Sequence, residues 1–190
     1  MTFNRREFLQ WISAAAGAGA LGGCAGGSGS AGKVVVVGAG YGGATAAKYI
    51  KLWAPEIDVT IVERNAEFIS CPLSNLVIGG NTTIAELTFG YEGLKRRGIT
   101  LVRDEVVAVD ATKREVRLAG GSTLAYDRLI VSPGVEFMYN TIPGLNNAEA
   151  QNRVLHAWKA GPQTLALRRQ LEAMRDGGVF AIHIPKAPYR

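Results

Sequence analysis

Hydrophobic and polar positions change rhythm several times along the 190 residues of the chain. Lys33-Val-Val-Val-Val37 is a continuous β-branched run, which predicts a strand buried on both faces of a parallel sheet. Ala44 to Trp53 follows a helical rhythm that Pro55 stops, and Asp58 to Val62 is a second short apolar run ending at Glu63. The spacing predicts a helix over 84–97, weakened by Gly90 and Gly93, and a third strand over 99–102. From Asp104 to Leu124 the pattern turns to partial alternation, broken at Thr112-Lys113 and Gly120-Gly121, which reads as an antiparallel meander. Tyr126 to Ser132 is again an apolar strand, closed by Pro133-Gly134, and residues 140–155 read as a loop. Gln163 to Met174 places Leu167, Leu171 and Met174 at helical spacing and ends at Gly177-Gly178. Val179 to Ile184 reads as another buried strand. Strand, helix and strand in this order predict an α/β, Rossmann-like domain with a β-meander insertion.

The first residues do not belong to that pattern. Arg5-Arg6 precede a modestly apolar stretch from Phe8 to Leu21, and small residues follow, which is the layout of an export signal. The adjacent arginines with Glu7-Phe8-Leu9 resemble a twin-arginine signal, and the expected location is the periplasm. Leu21-Gly22-Gly23-Cys24 resembles a lipoprotein cleavage box, so Cys24 is a candidate lipid anchor; cleavage near Ser30-Ala31 would instead discard it. The expected division is a leader at 1–31, a dinucleotide-binding portion at 32–150, and a connecting helix with the first strand of a second domain at 151–190.

Composition narrows the function classes. A hydrophobic fraction of 47% suffices for one ordinary core. The formal charge is +5, and loss of residues 1–31 removes Arg5, Arg6 and Glu7, leaving about +4. Lys95-Arg96-Arg97 and Arg168-Arg169 sit in helical surroundings and read as solvated faces, so no nucleic-acid partner is expected. No apolar run is long enough for a membrane-spanning helix, no C-x-x-C-H attaches haem, and no G-x-S-x-G supports hydrolase chemistry. His156 and His183 have no nearby cysteine or acid cluster, so no metal site is expected.

The candidate chemistry starts at Gly38-Ala39-Gly40-Tyr41-Gly42-Gly43, directly after one strand and directly before a helix. Gly38 permits the tight turn, Gly40 allows close approach of a pyrophosphate, and Gly43 allows the helix to pack on the strand. The helix N-terminus offers free N–H groups to phosphate. Glu63, 20 residues after Gly43, stands where a carboxylate accepts from ribose hydroxyls and disfavours a 2′-phosphate. The meander followed by Ser132-Pro133-Gly134 favours FAD. It resembles the turn that closes the FAD site in flavoproteins with two dinucleotide-binding domains, although Pro133 replaces the commoner middle threonine.

A second candidate is Cys71, within "FISCPLSNLVIGG". Pro72 after it predicts a short helix over 72–78 with Cys71 as the preceding residue, a place that favours thiolate. The plainer alternative is a small buried apolar side chain.

Together, "VVVVGAGYGGATAAKYIK", "CPLSNLVIGG" and "HAWKAGPQT" resemble the flavoprotein subunit of flavocytochrome c sulfide dehydrogenase, from about Lys33 to Arg190. The resemblance implies FAD bound covalently through Cys71, with Val106 meeting the adenine side through its backbone and Pro133-Gly134 bordering the flavin. It also implies sulfide as substrate and a c-type cytochrome subunit as electron acceptor. In that family the redox cysteine pair lies beyond the position of Arg190, so no catalytic residue is expected within this chain, and the chain is expected to be an N-terminal fragment. Pro185-Lys-Ala-Pro188 stands where a second glycine fingerprint would bind NAD. Rival readings are a sulfide:quinone oxidoreductase, an NADH-dependent disulfide reductase or peroxidase, and a non-catalytic FAD- or cytochrome-binding remnant.

Overall fold

The computed structural model describes residues 30–182; Arg5, Arg6, Cys24, His183 and the proline-rich turn after Ile184 lie outside the described residues. β1 (Lys33–Val37) runs parallel between β2 (Asp58–Val62) and β9 (Arg128–Val131), with β5 (Thr100–Val102) beyond β2, in the order β5-β2-β1-β9. The unbroken valine run has a direct cause: both sheet faces are covered. On one face α1 (Tyr41–Trp53) packs Ala47 into a core with Val34, Val36, Val59 and Ile61. On the other face Val35 and Val62 meet Val116 and Leu118 of the meander. That meander is β6 (Val106–Asp110), β7 (Glu115–Leu118) and β8 (Thr123–Ala125), paired antiparallel in sequence order. The fold is α/β and Rossmann-like, as the hydrophobic pattern predicts.

Three segments depart from the pattern. The expected helix over 84–97 is broken into a 3-10 turn at Ala85–Leu87, β4 (Thr88–Phe89) and one helical turn, α3 (Glu92–Lys95). Thr88 and Phe89 extend because they pair with β3 (Phe68–Ile69), and Gly90 separates the pieces. The expected loop over 140–155 contains α4 (Ala148–Arg153), whose Asn147 cap accepts the Ala150 N–H at 2.9 Å. Residues 179–182 form no strand; Val179 is 91% exposed and Ile182 75%. A strand needs a ladder partner, and no described strand pairs with this segment.

The C-terminal helix is α5 (Pro162–Glu172), with Pro162 at its first position and the Thr164 hydroxyl accepting the Gly161 N–H at 3.1 Å. Leu167 is buried, Leu171 half-buried, and Met174 lies exposed past the helix end. α5 packs against α2 (Ser74–Gly79), and Arg168 donates to the Ile78 carbonyl at 3.3 Å.

Candidate functional site

The glycine loop connects β1 to α1. Gly38 has φ +91°, and a Cβ there would lie 2.1 Å from the Ser132 carbonyl oxygen. A Cβ at Gly43 would lie 1.9 Å from the Gly38 oxygen, and one at Gly42 would lie 2.7 Å from the Ser132 hydroxyl. Gly38 and Gly43, which meet backbone, are required by the protein's own packing; at Gly42 the Ser132 hydroxyl would have to turn away. Gly40 is not: the nearest atom to a Cβ there is a Phe68 ring carbon at 3.9 Å. Its open side faces a cavity of about 710 Å³. That size falls in the range of about 300–1,000 Å³ common to cofactor sites. Gly40 is the N-cap of the 13-residue α1, and no side chain caps that end. A loop smooth where it meets the cavity, at an uncapped helix N-terminus, suits a pyrophosphate.

The same cavity brings together Gly38, Gly40, Glu63, Cys71, Val106, Pro133 and Gly134. Ala39 is buried behind the loop, 2% exposed, and Gly43 sits one turn into α1 against Gly38. Glu63 follows β2, and its carboxylate accepts the Ala39 N–H at 2.9 Å, the Asn65 N–H at 2.8 Å and the Asn65 side-chain amide at 2.7 Å. Glu63 therefore holds the glycine loop itself. A carboxylate offers about four acceptor positions, which leaves capacity for a ribose hydroxyl. Tyr91 is buried nearby, and its hydroxyl pKa is pushed up to about 12, first by burial and then by the Glu63 charge.

Cys71 is exposed, and its Sγ donates to the Trp158 carbonyl at 2.8 Å. The expected helix over 72–78 begins later: α2 starts at Ser74, and its N-cap Leu73 has φ +72°. The Pro72 carbonyl accepts from the Ser70 hydroxyl at 3.1 Å, and the Ser74 N–H bonds the Cys71 carbonyl at 3.1 Å, so residues 71–74 form a turn. Cys71 thus does not occupy the cap of a helix, contrary to the expectation from Pro72. Its partner, a carbonyl oxygen, bonds only the protonated thiol.

Charged side chains absent from the sequence reading line the rim. Arg64 lies 3.6 Å from Glu105 and 3.4 Å from Glu136, and Lys159 lies 3.1 Å from Glu136. Lys159 and the backbone N–H of Phe137 hold the Glu136 carboxyl below the usual carboxylate range. His156 packs on Phe137 at 4.2 Å between ring centres. Burial, then the Lys159 charge, lower its pKa, while Glu136 opposes them. Lys159 and His156 lie in the quoted "HAWKAGPQT", so that motif carried a signal for them. Glu136 carried none beyond standing next to the Pro133-Gly134 turn. Among the described residues no group of histidine, cysteine and acidic side chains is placed to hold a metal ion.

A family model described as "Pyridine nucleotide-disulphide oxidoreductase" matches residues 32–170. A second, "Sulfide dehydrogenase [flavocytochrome c] flavoprotein chain, central", matches residues 164–190. The chain is 53% identical over 45 residues to the sulfide dehydrogenase [flavocytochrome c] flavoprotein chain of Chlorobaculum thiosulfatiphilum, covering 24% of this chain and 94% of that sequence. It is 29% identical over 156 residues to the mitochondrial sulfide:quinone oxidoreductase of Dictyostelium discoideum, covering 80% of this chain and 34% of that one. The sulfide:quinone oxidoreductase structure from Aquifex aeolicus superposes with a TM-score of 0.65 at 19% identity, over 75% of this chain and 32% of that one. That likeness shows the fold. The chain spans about a third of the length of these two longer relatives.

Proposed function

Because the chain belongs to the pyridine nucleotide-disulphide oxidoreductases, and within them to the flavoprotein chains of flavocytochrome c sulfide dehydrogenase, we propose that it forms the FAD-holding part of a sulfide-oxidising enzyme. The substrate would be sulfide and the electron acceptor a c-type cytochrome subunit. The observation that carries this reading is the single cavity joining the glycine loop, Glu63 and Cys71. The residues fit a dinucleotide: Gly40 and the N-terminus of α1 take the pyrophosphate, Glu63 a ribose hydroxyl, and Val106 the adenine side. Pro133 and Gly134 border the ring system. Bound there, FAD would supply two-electron redox chemistry.

Cys71, exposed and lining the same cavity, would hold the cofactor covalently through its Sγ. Forming that link would break the Cys71 S–H bond and one C–H bond of the cofactor and make one C–S bond, the two hydrogens and the electron pair passing to the cofactor. The covalent link keeps the cofactor on a protein exported by the twin-arginine route to the periplasm. Acceptance of electrons by a quinone is the second reading, supported by the Dictyostelium relative.

The test is acid denaturation of the FAD-loaded chain followed by mass spectrometry. We expect the Cys71 peptide to carry the flavin mass, and Cys71→Ser to release all of its FAD while still binding it before denaturation. Wild-type FAD that is fully extracted by acid would remove the anchor from the proposal. A chain that binds no FAD would remove the cofactor itself.

A further inference from the structure

Tyr41 stands in the middle of the glycine loop and belongs to no dinucleotide fingerprint position, yet its hydroxyl lies 2.6 Å from the Ser70 hydroxyl. Ser70 immediately precedes the thiol and is 5% exposed. It is tied on three sides: its N–H bonds the Leu87 carbonyl at 2.8 Å, its hydroxyl donates to the Pro72 carbonyl at 3.1 Å, and Tyr41 holds it from the glycine loop. With the Ser70 proton directed to Pro72, the Tyr41 hydroxyl is the donor in the pair. The Tyr41 ring meets Phe68 edge-on, with centres 5.0 Å apart and planes at 86°. Tyr41 and Cys71 both line the cavity, although 30 residues separate them in sequence.

We propose that Tyr41 and Ser70 are positioning residues for the Cys71 thiol. Their hydroxyl pair pins the thiol turn to the loop that carries the pyrophosphate, fixing the spacing between the two attachment points of one cofactor. This rests on the reading of Cys71 as the flavin anchor. Neither hydroxyl touches the reacting atoms. Removing the brace leaves both halves of the site present but lets their separation vary. A misplacement of about 1 Å costs on the order of a hundredfold in rate for a reaction that depends on approach geometry.

The test follows two readouts in the full chain. Covalent attachment after FAD addition is timed by acid-stable flavin absorbance. Alkylation of Cys71 by iodoacetamide in the cofactor-free chain is timed on the Cys71 peptide, so that Cys24 does not contribute. Tyr41→Phe, which keeps the ring against Phe68, and Ser70→Ala should each slow attachment roughly tenfold or more. Ser70→Ala, whose buried hydroxyl is outside the cavity lining, should leave noncovalent FAD affinity within about twofold, and Ser70→Thr should restore the rate. The double variant should be no slower than either single one, because both remove the same link. Alkylation should become several-fold faster, to an equal extent in both variants. Wild-type attachment rates in both variants would overturn the brace, as would effects that multiply in the double variant. A loss of FAD affinity parallel to the loss of attachment rate would also overturn it, by making the pair a general structural support. If the wild-type chain forms no covalent flavin, the anchor reading fails; the brace then stands or falls on the alkylation rates alone.

Discussion

At the glycine-loop end of the cavity, backbone lies directly against backbone: Gly43 of α1 against the Gly38 oxygen, and Gly38 against Ser132, at the end of a sheet whose valines are buried on two faces. At the thiol end, the chain is held by side-chain hydrogen bonds between distant residues. Cys71 reaches the Trp158 carbonyl across 87 positions, and Lys159 reaches Glu136 across 23. Gly38 and Gly43 at the first end tolerate no added atom, because the atoms in the way are backbone. The second end is held by the buried Ser70 hydroxyl and, around it, by exposed pairs such as Lys159 and Glu136. A dinucleotide site built this way is packed backbone to backbone at the diphosphate and held by side-chain hydrogen bonds at the ring.

The largest expected effect tests the backbone packing. Gly43→Ala puts a methyl group 1.9 Å from a backbone oxygen that only a strand shift can move. We expect a loss of about 3 kcal/mol or more, seen as a lower urea midpoint, or no folded protein. Gly40→Ala is the matched control, since its methyl group meets nothing closer than 3.9 Å. Its urea midpoint should stay near that of the wild type, and FAD affinity should fall at least tenfold as the methyl group occupies the phosphate side. Equal destabilisation by the two substitutions would erase the distinction between packing glycines and a cofactor glycine.

The next effect is intermediate. Glu63 joins the glycine-loop end to its surroundings by accepting the Ala39 N–H and both Asn65 donors. Glu63→Gln keeps the shape but removes the charge, and about 1–2 kcal/mol of stability should go with it. The Tyr91 hydroxyl offers a separate readout. Burial is the larger cause of its raised pKa and the Glu63 charge the smaller, so ultraviolet titration of the variant should give a value below about 12 yet still above 10.0. A return to 10.0 would mean that Tyr91 is not buried as described.

The contrast between the two ends also explains what the sequence disclosed. β1, the glycine turn, α1, β2 and the meander were legible because each is specified by neighbours within a few positions: valine runs, Gly38, Pro55, Gly120-Gly121. Ala47 is buried because it faces the sheet at helical spacing, and that spacing is visible in the letters. The thiol end was legible in its residues but not in its geometry. Cys71-Pro72 suggested a helix start; the turn forms instead because the Ser70 hydroxyl takes the Pro72 carbonyl, an interaction no periodicity encodes. The broken helix over 84–97 has the same origin, since Thr88 and Phe89 answer to Phe68 and Ile69 rather than to their own neighbours. Arg64, Glu136 and Lys159 come together only when the chain closes around the cavity. Charged residues without a periodic or motif context do not announce partners 23 or 72 positions away.

The smallest expected effect lies at the exposed rim and concerns pH. Glu136 and His156 both titrate below their ordinary values in the folded chain. For His156 the unfolded state therefore binds protons more readily just below 6.5. Its contribution to stability is complete above that value and is lost as pH falls through the lower folded value. Glu136 behaves alike lower down: its contribution is present above 4.5 and is lost as pH falls through its folded pKa. Lys159 depresses both, by hydrogen bond and charge at Glu136 and by charge alone at His156. Lys159→Ala should thus cost at most about 1 kcal/mol at neutral pH, because the pair it breaks is exposed. It should also flatten the acid dependence of the urea midpoint. The His156 pKa, followed by NMR, should rise toward 6.5 without reaching it, since burial against Phe137 is the larger cause and survives the substitution. A His156 pKa unchanged in the variant would place Lys159 away from the imidazole in solution. The thiol end would then be held by the Trp158 carbonyl and the Ser70 turn without help from the rim.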